Sequence, residues 1–356
     1  MKNLLLLTDY KGFFSSKYAS VPYRSGMNKS RLSAAFAEHG YQACFKMFHE
    51  IDFRDHDFSG MPVVYSSSED YGGHYKDYIE DIVWGLHMGG AFLIPKLEYF
   101  RAHHNKVFME ILRDLAPVSE IKGIRSHHVG TIEDLLKESY KLTFPCVIKK
   151  AASAASLGVR LARSSKELKR LAARMGRTVH LWNDLWDLGR SLRHRGYVRD
   201  SLHRRKIIVQ NFVENLRNDW KVLIFGDQYY ILFRHVRQKD FRASGSGLFD
   251  FEVEMPEQLL SFAATVFDAL KTPCGSLDIA YDGSNFYLIE FQCLHFGTYT
   301  LDASPFYYLR HKSGWQKIYG GSELEDVYAT SIANFLNKNN CVNGVSIGYQ
   351  GLMNNG

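Results

Sequence analysis

The sequence predicts a two-part chain, an α/β unit followed by an α+β half, and three observations predict it. Short apolar runs alternate with helix-spaced segments over residues 1–95, the pattern of a doubly wound α/β domain. Beyond residue 205 the runs become rich in β-branched and aromatic residues, with Gly226-Asp227 and Asp282-Gly283 between them. Such pairs mark the hairpins of an antiparallel sheet. The length, 356 residues, exceeds one ordinary domain.

Residues 3–8 (NLLLLT) are an apolar run ended by DYKG, as suits a buried parallel strand. Residues 30–39 carry Leu32, Ala35 and Phe36 at helical spacing and stop at Gly40. A strand over 61–65 precedes the polar loop SSSEDYGGH; a helix over 76–87 and Gly89-Gly90 lead into a strand over 91–94, closed by Pro95. Residues 98–115 read as one helix, and 133–140 as a short helix before the strand FPCVIK. Further strands are expected over 206–210, 221–225, 228–234, 275–281 and 285–291, with helices over 256–270 and 323–336. The units so defined are 1–95, 96–205 with a basic insert at about 182–205, 206–340, and an Asn/Gly-rich tail, 341–356, that frays.

A composition of 46% hydrophobic and 23% charged residues excludes wholesale disorder, collagen and coiled coil. Leucines 4–7 are too few for a secretory apolar region before Asp9 interrupts, and no run has the roughly 18 apolar residues of a membrane span. Five cysteines (Cys44, Cys146, Cys274, Cys293, Cys341) lie far apart without a CxxC pair, so a reducing compartment, the cytoplasm, is expected. Residues 163–206 hold 13 Lys and Arg against 4 Asp and Glu, whereas the rest of the chain holds 31 against 34. A face of that sign suits phosphate, an acidic partner or an anionic membrane surface, and its plainest reading is a solvated helical surface. The absence of an aromatic–basic ladder argues against nucleic acid.

Three segments carry chemistry. In residues 275–292 (GSLDIAYDGSNFYLIEFQ) a three-residue loop at 283–285 puts Asp278 opposite Glu290, with Glu290 and Gln292 on one strand face. Facing carboxylates call for a cation between them, and hard oxygen ligands suit Mg²⁺ completed by phosphates and water. A strand bearing Lys149, the small residues of KAASAASLGVRLA and then Gly158 can wrap phosphate, since small side chains admit backbone N–H groups to the oxygens. A strand ending at Gln210-Asn211-Phe212-Val213 can offer its backbone to an adenine edge; Asp219 can take ribose hydroxyls, and Arg234, Arg237 and Arg242 follow.

The order of these features resembles the ATP-grasp superfamily, and in places its carboxylate–amine ligase branch, which includes the glutamate ligase that modifies a ribosomal protein. VQNFV, NDWKVLIFGD and KDFRASGSG resemble the family's hinge, ribose acid and substrate-side arginine; LDI and IEFQ resemble its metal acid and acid–x–amide pair. Asn105-Lys106 and Lys149 are similar to its two phosphate lysines, and the resemblance covers residues 96–300. The chain departs from the pattern in four places. Ser153 and Ser156 replace loop glycines, Gln292 replaces Asn, Asn211 replaces an acid or Lys, and CLHFGTYTL follows where a proline–glycine turn is usual. The stretch around 182–205 (WNDLWDLGRSLRHRG) resembles an insertion.

The resemblance implies an ATP-grasp-like fold: the N-terminal doubly wound α/β domain, a small lid domain at about 130–205, and a C-terminal antiparallel-sheet domain. It implies nucleotide contacts from Lys106, Lys149, Ser153, Ser156, Gly158, Gln210, Asn211, Phe212, Val213, Asp219 and Lys221, and Mg²⁺ (Mn²⁺ as an alternative) on Asp278, Glu290 and Gln292. Arg234 and Arg242 would be catalytic, Arg242 stabilising the transferring group or tetrahedral intermediate. ATP would phosphorylate a carboxylate, and an amine would displace phosphate to form an amide. The substrates would be small or polymer-linked; homo-oligomers and a peripheral anionic surface stay open. A small-molecule kinase and a non-catalytic nucleotide-binding module are the alternatives.

The aromatic residues Tyr299, Phe306, Tyr307 and Tyr308 suggest a bulky or carbohydrate-like acceptor. Tyr71-Gly72-Gly73-His74 ends a strand where α/β ligands collect, yet reads first as a plain loop. Adjacent histidines His103-His104 and His127-His128 do not share a helix face, which argues against metal there. Cys293 reads as a small buried hydrophobe.

Overall fold

The computed structural model describes residues 1–54, 56–138, 141–152, 158–214, 216, 218–236 and 247–342. The N-terminal unit runs β1 (Lys2–Thr8), α1 (Lys29–Glu38), β2 (Tyr41–Met47), β3 (Pro62–Val64), α2 (His74–Met88) and β4 (Phe92–Ile94). Its strands form a parallel sheet in the order β2-β1-β3-β4. Central β1 is the apolar run, its leucines 4–7 all buried. Strand β2 was not expected: YQACFKM is an edge strand with only Tyr41 buried, so it lacks an apolar run.

Helix α2 starts where the loop can make a sharp entry. Gly72 and Gly73 hold φ of +87° and +74°, left-handed backbone that glycine adopts without cost. Asp70 then accepts hydrogen bonds from the N–H groups of Tyr75 (3.1 Å) and Lys76 (3.2 Å).

Residues 98–115 are not one helix. The chain breaks at Asn105 (φ −134°, ψ 90°) into α3 (Leu97–His104) and α4 (Lys106–Leu115). At the break the Lys106 N–H leaves the helical ladder and donates to Ala151 O at 3.0 Å. A tertiary backbone bond thereby overrides helical periodicity that is continuous in the sequence.

The middle unit is an antiparallel sheet of β5 (Ser126–Val129), β6 (Cys146–Lys150), β7 (Val159–Ala162) and β8 (Ile207–Asn211), in the order β5-β8-β6-β7. Helices α5 (Ile132–Glu138) and α6 (Ser165–Gly176) supply Leu135, Leu168 and Ala172 to a core shared with Ile148 and Val209. Strand β8 had been grouped with the C-terminal half; it pairs instead with β5 and β6, because its continuous apolar run suits an interior strand. The basic stretch ahead of it carries α7 (Leu181–Arg193).

The third sheet holds β9 (Asn218–Phe225), β10 (Gln228–His235), β11 (Phe249–Asp250), β12 (Cys274–Tyr281), β13 (Phe286–Gln292), β14 (Phe306–His311) and β15 (Gly314–Tyr319). Its order is β13-β12-β9-β10-β14-β15, with β11 on β10 and every pair antiparallel. Helix α8 (Leu259–Leu270) buries seven residues in the core that also takes Tyr99 and Met109 from α3 and α4. A second core joins Leu223 and Phe225 to Leu336 of α10 (Leu324–Val342) and to Leu4, Leu6 and Phe36. Buried Glu325 accepts from Lys17 Nζ at 2.8 Å, a further tie between the first unit and the last helix. The β14/β15 hairpin was not expected. It absorbs Phe306, Tyr307 and Tyr308 into ring packing, with Tyr307 against Tyr230 and Phe306 against Tyr308 and Tyr319.

The β12/β13 hairpin brings Asp278 opposite Glu290, but by two differences that cancel. The loop is four residues long, since Tyr281 pairs with Phe286, and an extra residue, Ile289, bulges out between the partners of Ile279 and Asp278. Arg113, with no exposed surface, holds that bulge: its guanidinium donates to Leu288 O (2.7 Å), Ile289 O (3.1 Å) and Ile121 O (2.8 Å). Its Nε donates to Glu110 Oε2 at 2.8 Å, and Glu110 is equally buried. Removing one partner of such a pair leaves an uncompensated buried charge. Arg113→Ala is therefore expected to cost about 3–5 kcal/mol, and the double variant Glu110→Met/Arg113→Met to recover part of it. Urea unfolding curves measure both; a loss under about 1 kcal/mol in the single variant would refute this role.

Candidate active site

A cleft with a volume of about 1290 Å³ runs between the three units. Its floor is the third sheet, where charge alternates. Lys106 Nζ donates to Glu290 Oε1 at 2.8 Å, and Gln292 reaches the same oxygen through its amide nitrogen at 3.3 Å. Arg234 donates to both oxygens of Asp219 (2.6 and 2.7 Å), and its second terminal nitrogen contact is Asp278 Oδ2 at 2.8 Å. Lys221 Nζ donates to Ser276 Oγ at 2.8 Å and stands 3.6 Å from Asp278 Oδ1. These contacts follow from register: Lys221 of β9 lies beside Asp278 of β12, and Asp219 lies opposite Arg234 of β10.

Burial raises the Glu290 carboxyl, but the Lys106 ammonium more than offsets this and leaves it below the usual range. Asp278 is lowered in the same way: burial opposes, and Arg234 and Lys221 prevail. Asp219 goes the other way, to about 6, because burial outweighs Arg234 and the Asp278 charge adds to it. With both its oxygens on Arg234, Asp219 faces a guanidinium, which differs from the ribose contact expected of it. Lys149, half-buried on β6, is pushed down by burial to about 8, with Glu110 opposing.

Asp278, Glu290 and Gln292 are hard oxygen donors, and both acids are held ionised. Among the described residues no group of three or more His, Cys, Asp or Glu can hold a metal ion by itself. Two ionised carboxylates and an amide oxygen suit Mg²⁺, an ion that keeps water and takes substrate phosphate oxygens alongside one or two carboxylates.

At the other wall of the middle unit, Lys149, Gln210, Asn211, Phe212 and Val213 line the cleft. Gln210 is buried and donates to Ser126 Oγ at 2.9 Å, which donates to Glu110 Oε2 at 2.6 Å. The backbone N–H of Asn211 is already given to Arg125 O at 3.0 Å. Gly158 accepts from the Lys150 N–H at 3.0 Å, closing the β6/β7 hairpin. Ser153, Ser156 and Arg242 lie outside the described residues.

Sequence reasoning missed a second charged cluster in the cleft. Ser67, Ser68, Glu69, Asp70 and Tyr71 line it, joined by Lys76, His103, His104 and His295. Of Tyr71-Gly72-Gly73-His74, the loop that reads first as plain, only Tyr71 is among the lining residues. His103 Nε2 and Glu69 Oε1 are 2.9 Å apart, and Lys76 Nζ donates to the same oxygen at 3.1 Å. Burial raises Glu69, but the His103 contact prevails and takes it to about 2. His295 packs edge-on to His103 at 5.8 Å, and burial, reinforced by His103, brings it down to about 4. Its signal was CLHF standing where a turn is usual. An aromatic rim of Tyr10, Phe13, Tyr18 and Tyr23 also comes from the N-terminal unit, whereas Phe306, Tyr307 and Tyr308 are not among the lining residues. Cys293 is buried, and burial pushes its thiol up, as suits a packing residue.

No protein-family model matches the chain, and no curated protein is similar to it. Solved structures are similar at the level of fold. One is D-cycloserine synthetase DcsG, with a TM-score of 0.53 and 14% identity, the match covering 94% of this chain and 99% of that one. Another is a Chryseobacterium gregarium RiPP-associated ATP-grasp ligase in complex with ADP and a leader and core peptide, with a TM-score of 0.50, 13% identity, and 95% and 97% covered. The parallel first unit, the four-stranded middle sheet and the antiparallel third sheet are together the ATP-grasp fold.

Proposed function

We propose that this chain is an ATP-dependent carboxylate–amine ligase that forms an amide through an acyl phosphate. The observation that carries the reading is that one cleft holds two charged clusters. Lys106, Lys149, Arg234, Asp278, Glu290 and Gln292 line it together with Glu69, His103 and His295. A kinase needs only the first cluster and a hydroxyl; a second cluster with an ionised carboxylate suits an incoming ammonium. The ADP-bound peptide ligase and the D-cycloserine synthetase support the class without naming the substrates.

The residues divide the work. The hinge segment, residues 210–213, holds the adenine, and Lys106 and Lys149 hold phosphate oxygens. Asp278, Glu290 and Gln292 would hold Mg²⁺, which would supply charge neutralisation at the phosphates. Arg234, oriented by Asp219, stabilises charge on the transferring phosphoryl group and Arg242 on the tetrahedral intermediate. A carboxylate is inert to amines at neutral pH, and phosphorylation gives it a leaving group. Glu69, held ionised by His103 and Lys76, attracts the amine as an ammonium. The tyrosine rim suits a bulky acceptor, a peptide or a carbohydrate-linked group.

Asp278→Asn and Glu290→Gln are expected to stay folded and to lose nearly all ADP release at limiting Mg²⁺; wild-type turnover in either would displace the site. Hydroxylamine added to the wild-type enzyme with ATP and an accepted acid should trap a hydroxamate. A stable phosphorylated acceptor with no hydroxamate would instead establish the kinase. Lys149 gives a pH signature. Its ammonium is half titrated at about 8, and phosphates favour the charged form, so ATP affinity should be full well below that pH and fall as pH rises through it. Lys149→Met should bind more weakly and without this dependence between pH 7 and 9.5; titrations with a fluorescent ATP analogue measure both.

A further inference from the structure

Helix α7 has none of its thirteen residues buried. Trp182 is 78% exposed, Trp186 71%, Leu181 73%, Leu185 58% and Leu192 82%. At 3.6 residues per turn these positions, with Leu188, share one arc of about 160°. A soluble helix with its apolar stripe turned to water has a partner.

The helix's charges are sorted. Its two acids turn toward their own segment: Asp184 accepts from the His180 N–H at 3.1 Å, and Asp187 accepts from Tyr197 OH at 2.6 Å and the Asp200 N–H at 3.2 Å. Arg193, the last residue of the helix, and Arg195, two residues beyond it, are exposed. The surrounding residues, 163–206, carry 13 basic against 4 acidic side chains. The occupant is thus anionic and apolar at once. A second copy fits poorly, because a two-fold interface would set this basic segment against itself. No described helix is long and apolar enough to cross a membrane, and α7, about 20 Å long, can lie in an interface with its tryptophans at headgroup depth.

We propose that α7 docks the enzyme on an anionic phospholipid surface, Trp182, Trp186 and the leucines entering the headgroup boundary and Arg193 and Arg195 meeting lipid phosphates. The proposal is independent of which reaction the cleft performs. The test is sedimentation of the full chain with phosphatidylcholine vesicles, with and without phosphatidylglycerol, at 0.1 and 0.5 M salt. The expected result is capture by the anionic vesicles alone, weakened severalfold at high salt, with tryptophan emission shifted to the blue. Arg193→Glu/Arg195→Glu should weaken capture by roughly tenfold or more, and Trp182→Ser/Trp186→Ser should abolish it, with melting temperature and ATP turnover unchanged in both. Equal capture by neutral vesicles, or no capture by any, overturns the proposal. So does a concentration-dependent dimer in sedimentation velocity that the Trp variant dissolves without any vesicle binding, or capture only by an acidic polypeptide.

Discussion

A guanidinium without any exposed surface holds the floor of the cleft in register. Arg113 reaches from α4 to three backbone carbonyls, two of them at the bulge in β13. A bulge leaves carbonyls off the ladder, and buried carbonyls without donors are costly. Arg113 supplies those donors, and the register past the bulge is what sets Glu290 opposite Asp278. The counter-charge, Glu110, passes the constraint on through Ser126 to Gln210 at the end of β8. The register of Asp278 against Glu290 and the end of β8 thus depend on one buried network.

Above that network the cleft resolves a problem of like charge. Asp219, Asp278 and Glu290 would repel one another in a partly buried site. Arg234 stands between Asp219 and Asp278, Lys221 flanks Asp278, and Lys106 covers Glu290. The two acids nearest the lysines stay ionised, while Asp219, the most enclosed, is raised. Nucleotide phosphates and a divalent cation bring both signs of charge, so they can replace these pairs without leaving a lone charge.

Local patterns were legible where they are strong. The leucine run of β1, the hairpin signals of the third sheet and the facing of Asp278 and Glu290 could be read from spacing, the last because a longer loop and a bulge compensate. What spacing could not show was tertiary in origin. The break at Asn105 depends on a bond to Ala151, and the edge strand β2 lacks an apolar run. Glu110 and Arg113 are an i, i+3 pair that spacing cannot tell from a surface one, since nothing local shows that both have no exposed area. Asp219 is adjacent in sequence to the hinge, but β10 places Arg234 directly across from it.

The second cluster of the cleft shows the same limit. His103 and His104 looked unpromising as neighbours on one helix. Each meets a partner from the N-terminal unit, His103 at Glu69 and His104 at Glu80, 3.7 Å away. The break at Asn105 lets one short stretch serve both clusters: His103 turns to Glu69, and Lys106, three residues on, turns to Glu290. A span of three residues is at most about 11 Å between Cα atoms, so backbone connection alone ties the two clusters together.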